Sequence, residues 1–173
     1  MMHRFFPYTL LFIVVTLLQT FLFNNLSISV YFNPLIYIVF LLLLPLDTPS
    51  IGLLGAGLLL GLTMDYTMGA AGVNIIATLP VAFLRPWIVD LFVNRDEIRE
   101  GGIPSTSRMG TRKFIEYLIV TTLLHHVIFF SFEALSWNHV SQTVLRIIVS
   151  TVVTIGFSWL IARFFTAKLP VRV

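Results

Sequence analysis

Six apolar runs separated by short polar stretches dominate the chain: roughly Phe5–Phe23, Val30–Leu46, Ile51–Met64, Ala70–Val93, Phe114–Leu135 and Thr143–Phe165. A membrane-spanning helix needs about 20 predominantly apolar residues. Four of the runs meet that length alone. The second and third, 30–46 and 51–64, are short. Both are expected to be helical, because lipid offers no partner to a free backbone N–H or C=O. They would form a tight hairpin about Leu46-Asp47-Thr48-Pro49-Ser50. There Asp47, Thr48 or Ser50 can cap the next helix, and Pro49 fits its first turn. The pattern thus predicts an all-α integral membrane protein, one domain over residues 1–173 with six transmembrane helices. The first run continues to Phe23, where Gln19, Asn24 and Asn25 replace any small-x-small cleavage site, so it reads as a retained helix rather than a signal peptide.

Composition strengthens this reading. Apolar residues make up 57% of the 173, charged residues 11%, and the mean hydropathy is +0.93. A soluble domain carries about 25% charge, so this chain's solvent is lipid. Cysteine is absent, which excludes disulfides, thiolate metal sites, Fe–S clusters, a Cys nucleophile and a lipidated Cys anchor. The net charge of +3 is modest, and its placement reports orientation rather than nucleic-acid binding. With Arg4 inside, the loop 94–113 places Arg95, Arg99, Arg108, Arg112 and Lys113 on the same side, and the C-terminal Arg163, Lys168 and Arg172 follow. The opposite loops (24–29, 65–72 and 136–141) hold no Lys or Arg. The positive-inside rule makes the basic side the cytoplasm and places both termini there. The loop 94–113, broken by Gly101-Gly102-Ile103-Pro104-Ser105, is either a partner surface or a solvated tether.

Few residues carry candidate chemistry. Gly57 and Gly61 form a Gly-xxx-Gly pair, a spacing that lets helices approach closely, within the chain or between two copies of it. Asp65 follows four residues later near the outer interface, where it either caps backbone N–H groups or pairs with an arginine. Gly69 and Gly72 suit a turn needing positive φ. Glu133 and Arg146 lie at similar depth on the fifth and sixth spans and are expected to pair, with Asp65 a candidate third member. His126 shares a face with Glu133. Arg146, Ser150, Thr154 and Ser158 recur every four residues as a polar line, which either bonds neighbouring helices or lines a cavity. His125 and His126 point about 100° apart on a helix, so no metal site is expected. Arg85 would snorkel to the interface or pair with Asp90, and Pro80 and Pro86 would kink its helix. Trp87 and Trp137 suit the two interfaces. No phosphate-binding, nucleophile-elbow or metalloprotease motif occurs, so no catalytic, cofactor-binding or metal residue is expected.

At Gly57-x-x-x-Gly61-x-x-x-Asp65-x-x-x-Gly69-x-x-Gly72-Val73-Asn74 the chain resembles MreD, the rod shape-determining membrane proteins of bacteria. The stretch from His125-His126 through Phe129-Phe130 to Glu133, then Leu145-Arg146-Ile147-Ile148 and Ser150, is similar to the Bacteroidetes-type members. The resemblance covers nearly the whole chain, the basic loop least. It implies a non-enzymatic subunit of the cell-elongation and peptidoglycan-synthesis machinery, without cofactors, in the bacterial inner (cytoplasmic) membrane. The partners implied are the single-span protein MreC, and less directly MreB and RodA with its penicillin-binding partner. It also implies the six-helix fold of the substrate-binding subunits of ECF vitamin transporters.

Three functions follow. The leading one is a scaffold that receives a partner's transmembrane helix on the Gly57, Gly61, Asp65 face. The second is a vitamin-type small-molecule carrier subunit using the polar line from Arg146 to Ser158. The third, an intramembrane protease using Glu133 and His126, lacks a nucleophile or metal set.

Overall fold

In a computed structural model, which describes residues 2–26, 29, 31–135 and 140–168, the chain is helical, with no strand among the described residues. Trp137 and Arg172 lie outside the described residues, as do the side chains of Arg4 and Lys168. Helix α1 (Met2–Leu17) continues through a π-helical turn, Leu18–Leu22, and a 3-10 turn, Phe23–Asn25. A 3-10 turn at Ile36–Ile38 leads into α2 (Val39–Leu42). Then come α3 (Ser50–Met68), α4 (Val73–Phe92), α5 (Arg95–Glu100), α6 (Thr106–Met109), α7 (Thr111–Ala134) and α8 (Val140–Lys168). Five helical stretches are long and apolar enough to cross a membrane: Phe6–Asn25, α3, α4, α7 and Val140–Ala167.

The short third run gains length at both ends. Pro49 precedes α3 in an extended conformation, and the helix runs on to Met68. Gly69 stops it with φ 65°, and the N–H of Ala70 reaches back to the carbonyl of Asp65 at 3.0 Å, a C-cap geometry that a residue with Cβ resists. Gly72, at φ 89°, opens α4.

The second run is not the helix expected over 30–46. Residues 31–35 are non-helical, and regular α-helix covers only the four residues of α2. The reasoning that lipid forces a helix holds only for backbone that meets lipid. This segment meets none. Every residue from Pro34 to Leu44 is buried, and Leu35, Ile36, Tyr37, Ile38, Val39, Leu41, Leu42 and Leu43 are at 0% exposure.

Five helices enclose it. α3 packs on α4, α4 on α7 and α7 on α8. α8 meets α1 through Tyr8–Phe165, and the 3-10 turn that continues α1 through Phe23–Phe157, with ring centroids 5.9 and 4.8 Å apart, and α1 touches α3. Phe12 of α1 packs edge-on against Phe40 of the enclosed segment at 5.2 Å. The outer faces are apolar and open, with Phe6 and Phe21 at 71%, Leu91 at 74% and Val152 at 66% exposure. Most of the buried polar side chains, by contrast, sit inside the ring, the arrangement expected where lipid is the solvent.

The loop after α4 is folded onto the bundle. Ile103, Ser105 and Met109 are buried, and the N–H of Leu46 donates to Gly102 O at 2.9 Å. Arg108 lies 3.9 Å from Glu100 and bonds Glu97 O at 3.4 Å.

Candidate functional site

The broken backbone at 31–46 needs partners that a regular helix would have supplied itself, and polar side chains from four surrounding helices provide them. Gln19, in the π-helical turn that continues α1 and fully buried, donates from Nε2 to Pro34 O (3.1 Å) and accepts Ile36 N–H at Oε1 (2.8 Å). On α8, the Ser150 hydroxyl accepts Asn33 N–H (3.2 Å) and donates to Tyr31 O (3.3 Å). One turn on, Thr154 Oγ1 accepts Leu35 N–H at 3.1 Å. The polar line therefore bonds both the second run, through Ser150 and Thr154, and the neighbouring α7, through Thr154 to His126 and Arg146 to Glu133. Ser158, also on that line, is buried with no hydrogen-bond partner.

At the other end of the segment the anchor is Arg85 of α4, at 1% exposure. Its Nη2 donates to Leu42 O (3.3 Å) and to Leu44 O, Nη1 donates to Pro45 O (3.4 Å) and Nε donates to the Tyr117 hydroxyl (3.1 Å). The Tyr117 hydroxyl in turn donates to Leu42 O at 3.0 Å. Arg85 thus neither snorkels nor pairs with Asp90. A planar fork of five donors suits several convergent carbonyls as well as it suits a carboxylate.

A second chain of bonds crosses the interior at mid-segment, and its donor directions follow from one end. Asp65 accepts Asn74 N–H and Asn74 Nδ2–H at Oδ1, both 2.9 Å, and Ile75 N–H at Oδ2, 3.1 Å. A carboxylate only accepts, so the Asn74 amide must turn its nitrogen to Asp65 and its oxygen inward. That oxygen accepts the Tyr37 hydroxyl proton at 2.6 Å. With its one proton committed, Tyr37 can only accept from His125 Nε2 at 3.1 Å. His125 is then the Nε2–H tautomer, and its buried Nδ1 has no partner. His126 is the opposite tautomer: Nδ1 faces Thr122 O at 2.8 Å, leaving Nε2 to accept the Thr154 hydroxyl at 3.2 Å.

The residues singled out in the sequence fall into separate places. Glu133 and Arg146 form an ion pair, Oε2 to Nη1 2.9 Å, with Arg146 also over the Phe130 ring at 4.9 Å. Asp65 is not part of that pair; it caps the start of α4. His126 is not part of it either. Gly57 and Gly61 are buried against α4 of the same chain: a Cβ on Gly61 would sit 2.6 Å from Thr78 Oγ1 and 2.7 Å from Ile75 Cα, and one on Gly57 2.8 Å from Ala82 Cβ. The gap left by the missing side chains lets Thr78 Oγ1 donate across to Gly57 O at 3.0 Å. Gly69 and Gly72 are turn residues, and a Cβ on either would have nothing within 4 Å. Sequence reasoning did not single out Gln19, Tyr37, Asn74 or Tyr117 as functional. The available signal was that each is a strongly hydrogen-bonding side chain within or beside an apolar run.

Among the described residues no group of three or more His, Asp or Glu is placed to hold a metal ion. A cleft of about 280 Å³ lies at the α6–α7 end, and a void of about 50 Å³ sits beside Arg85 and Asp90.

Taken together, an apolar exterior, polar side chains buried in the interior and five helices long and apolar enough to cross a membrane are consistent with a multi-pass helical membrane protein. Compared with known proteins, the chain matches no family model, no curated protein and no solved structure.

Proposed function

We propose that this chain is a non-enzymatic membrane scaffold of the MreD type, acting in bacterial cell elongation by packing against the transmembrane helix of MreC. In this reading it lies in the inner membrane with both termini cytoplasmic. The segment 31–46 is its sixth crossing, running from the level of Ser150 to the loop at Gly102. RodA with its penicillin-binding partner, and MreB, are reached through the same complex.

The observation that carries the reading is how the interior polar groups are used. Gln19, Arg85, Tyr117, Ser150 and Thr154 all bond the enclosed segment. A carrier subunit needs a roomy pocket with a few free convergent polar groups, and here that space is occupied by the protein's own chain. What the molecule offers a partner is its outer surface. Because Gly57 and Gly61 are used internally, the partner helix is assigned instead to α8, the least enclosed of the spans. Only 22% of its most apolar window is buried, against 50% for α7. Val152, Gly156 and Leu160 make an exposed line on it, and nothing lies within 4 Å of a Cβ at Gly156.

The test is co-purification of MreC from native membranes in mild detergent. Wild-type chain should bring MreC down. Gly156→Leu should lose it while keeping its own yield and unfolding midpoint. No MreC with the wild-type chain would refute the scaffold, and full recovery with Gly156→Leu would refute the α8 face.

A further inference from the structure

A cleft of about 280 Å³ lies where α6 and the first turn of α7 meet the end of α8, and none of the hydrogen bonds to the enclosed segment uses its lining. Its two halves differ in chemistry. The floor is apolar: Phe114 at 1% and Ala162 at 2% exposure, beside the half-buried Trp159. The rim is polar, with Thr106, Thr111 and Arg163 exposed. Arg163 lies over the Trp159 ring at 5.4 Å and makes no ion pair among the described residues. Neither Thr106 nor Thr111 makes a side-chain hydrogen bond among them. These are free donors around a guanidinium already fixed in place by an aromatic face.

Position narrows the ligand. Phe114 lies in the first turn of one span and Ala162 near the end of another, so the cleft sits where a bilayer's headgroups meet its hydrocarbon. The same loop and helix start carry Arg95, Arg99, Arg108, Arg112 and Lys113 together with Asp96, Glu97, Glu100 and Glu116; Arg108 and Arg112 lie against Glu100 and Glu116, so the cation that lines the cleft is Arg163. Basic pockets between transmembrane helices at an interface recognise anionic headgroups. At about 280 Å³ the cleft is close to the lower bound of small-ligand sites, roughly 300 Å³. That accommodates a phosphate with its glycerol but not the acyl chains, which would leave over the apolar floor into lipid.

We propose that this cleft binds the phosphoglycerol headgroup of an anionic phospholipid, with Arg163 as its charged contact and Thr106 and Thr111 as hydroxyl donors. The site requires only that the chain spans a bilayer; it does not depend on the scaffold reading, and its test uses the chain without any protein partner.

The probe is phosphatidylglycerol, titrated into delipidated chain in detergent and followed by native mass spectrometry, with phosphatidylcholine and inorganic phosphate as the other arms. Phosphatidylglycerol should be retained over phosphatidylcholine and should resist millimolar inorganic phosphate. Arg163→Gln should weaken it about fivefold, the worth of one cation near an anionic surface. Thr111→Val should weaken it about threefold, as expected for one hydroxyl, and keeps the proposal testable if Arg163→Gln fails to fold. Arg112→Gln, at an exposed residue already bonded to Glu116 at 2.9 Å, should leave binding unchanged. Equal retention of the two lipids would overturn the proposal. So would an equal loss in Arg112→Gln and Arg163→Gln, which would mean diffuse attraction to a basic surface. Displacement by inorganic phosphate would overturn the lipid assignment and make the ligand a free anion instead.

Discussion

Replacing Arg85 by methionine removes the guanidinium while keeping a side chain of comparable length, and the hydrogen bonds around it allow the loss to be worked out. Four acceptors face Arg85, but they are not equally dependent on it. Pro45 O also accepts Thr48 N–H at 3.2 Å and the Thr48 hydroxyl at 2.7 Å. Leu42 O keeps the Tyr117 hydroxyl. Leu44 O has no other hydrogen bond among the described residues, so the substitution orphans one buried carbonyl outright. An orphaned buried acceptor costs about 1–3 kcal/mol, and each lost bond to a charged donor about 1.5–3. Against this, methionine relieves the several kcal/mol of desolvation that a buried cation carries. Balancing these, Arg85→Met should lose about 2–4 kcal/mol of stability. Arg85→Lys, a point charge that reaches one carbonyl but cannot fork, should lose about half as much. The measurement is unfolding of the detergent-solubilised chain in mixed micelles of rising denaturing-detergent fraction, followed by tryptophan fluorescence. Tyr117→Phe extends it: both side chains serve Leu42 O and bond each other, so the double variant should lose less than the sum of the singles by more than about 0.5 kcal/mol. An Arg85→Met protein as stable as wild type would refute the reasoning, because the enclosed carbonyls would then not depend on this side chain.

Three further outcomes follow from the geometry. Asp65→Ala removes three hydrogen bonds at the start of α4 and should cost about 1–2 kcal/mol in the same unfolding assay; Asp65→Asn, whose amide can still accept at one oxygen, should cost less, and equal losses would count against the capping role. Gly61→Ala forces a Cβ against the Ile75 backbone and should destabilise by about 1–3 kcal/mol, whereas Gly55→Ala, with nothing within 4 Å, should be neutral or gain up to about 1; the same midpoint for both would mean that α3 and α4 do not approach this closely. Glu133→Arg sets two cations side by side and should lower the midpoint, and adding Arg146→Glu should restore most of it; a double variant no better than the single would break the pairing.

Five of the membrane-length helices can be read from hydropathy because they face lipid on their outer sides, and lipid enforces both apolarity and regular backbone there. The second run follows a different rule. Leu35 to Leu44 is apolar on all sides, with Asn33-Pro34 before it and Pro45 after it, a pattern that marks a segment covered all round rather than one face of a short span. The polar line Arg146, Ser150, Thr154, Ser158 was visible in the sequence, but its backbone partners were not: Ser150 and Thr154 accept the N–H groups of Asn33 and Leu35, and Ser150 donates to Tyr31 O, all far away along the chain, and backbone groups have no sequence signature. Asp65 shows the same limit. Its position near an interface can be inferred from the chain, while its partners, the N–H groups of Asn74 and Ile75, become apparent only when the Gly69–Gly72 turn brings α4 back along α3.

The enclosed segment also constrains how the protein is made. A nascent chain delivers its first half to the membrane before α8 exists, yet Asn33 and Leu35 find their partners on Ser150 and Thr154. Until then those N–H groups have only the translocation machinery or interfacial water to bond. Insertion therefore cannot be completed helix by helix in order of synthesis. Helix α8 closes the backbone of a segment synthesised well before it, so a chain stopped short of α8 would be left with exposed polar backbone at membrane depth, a mark by which membrane quality control can recognise an unfinished protein.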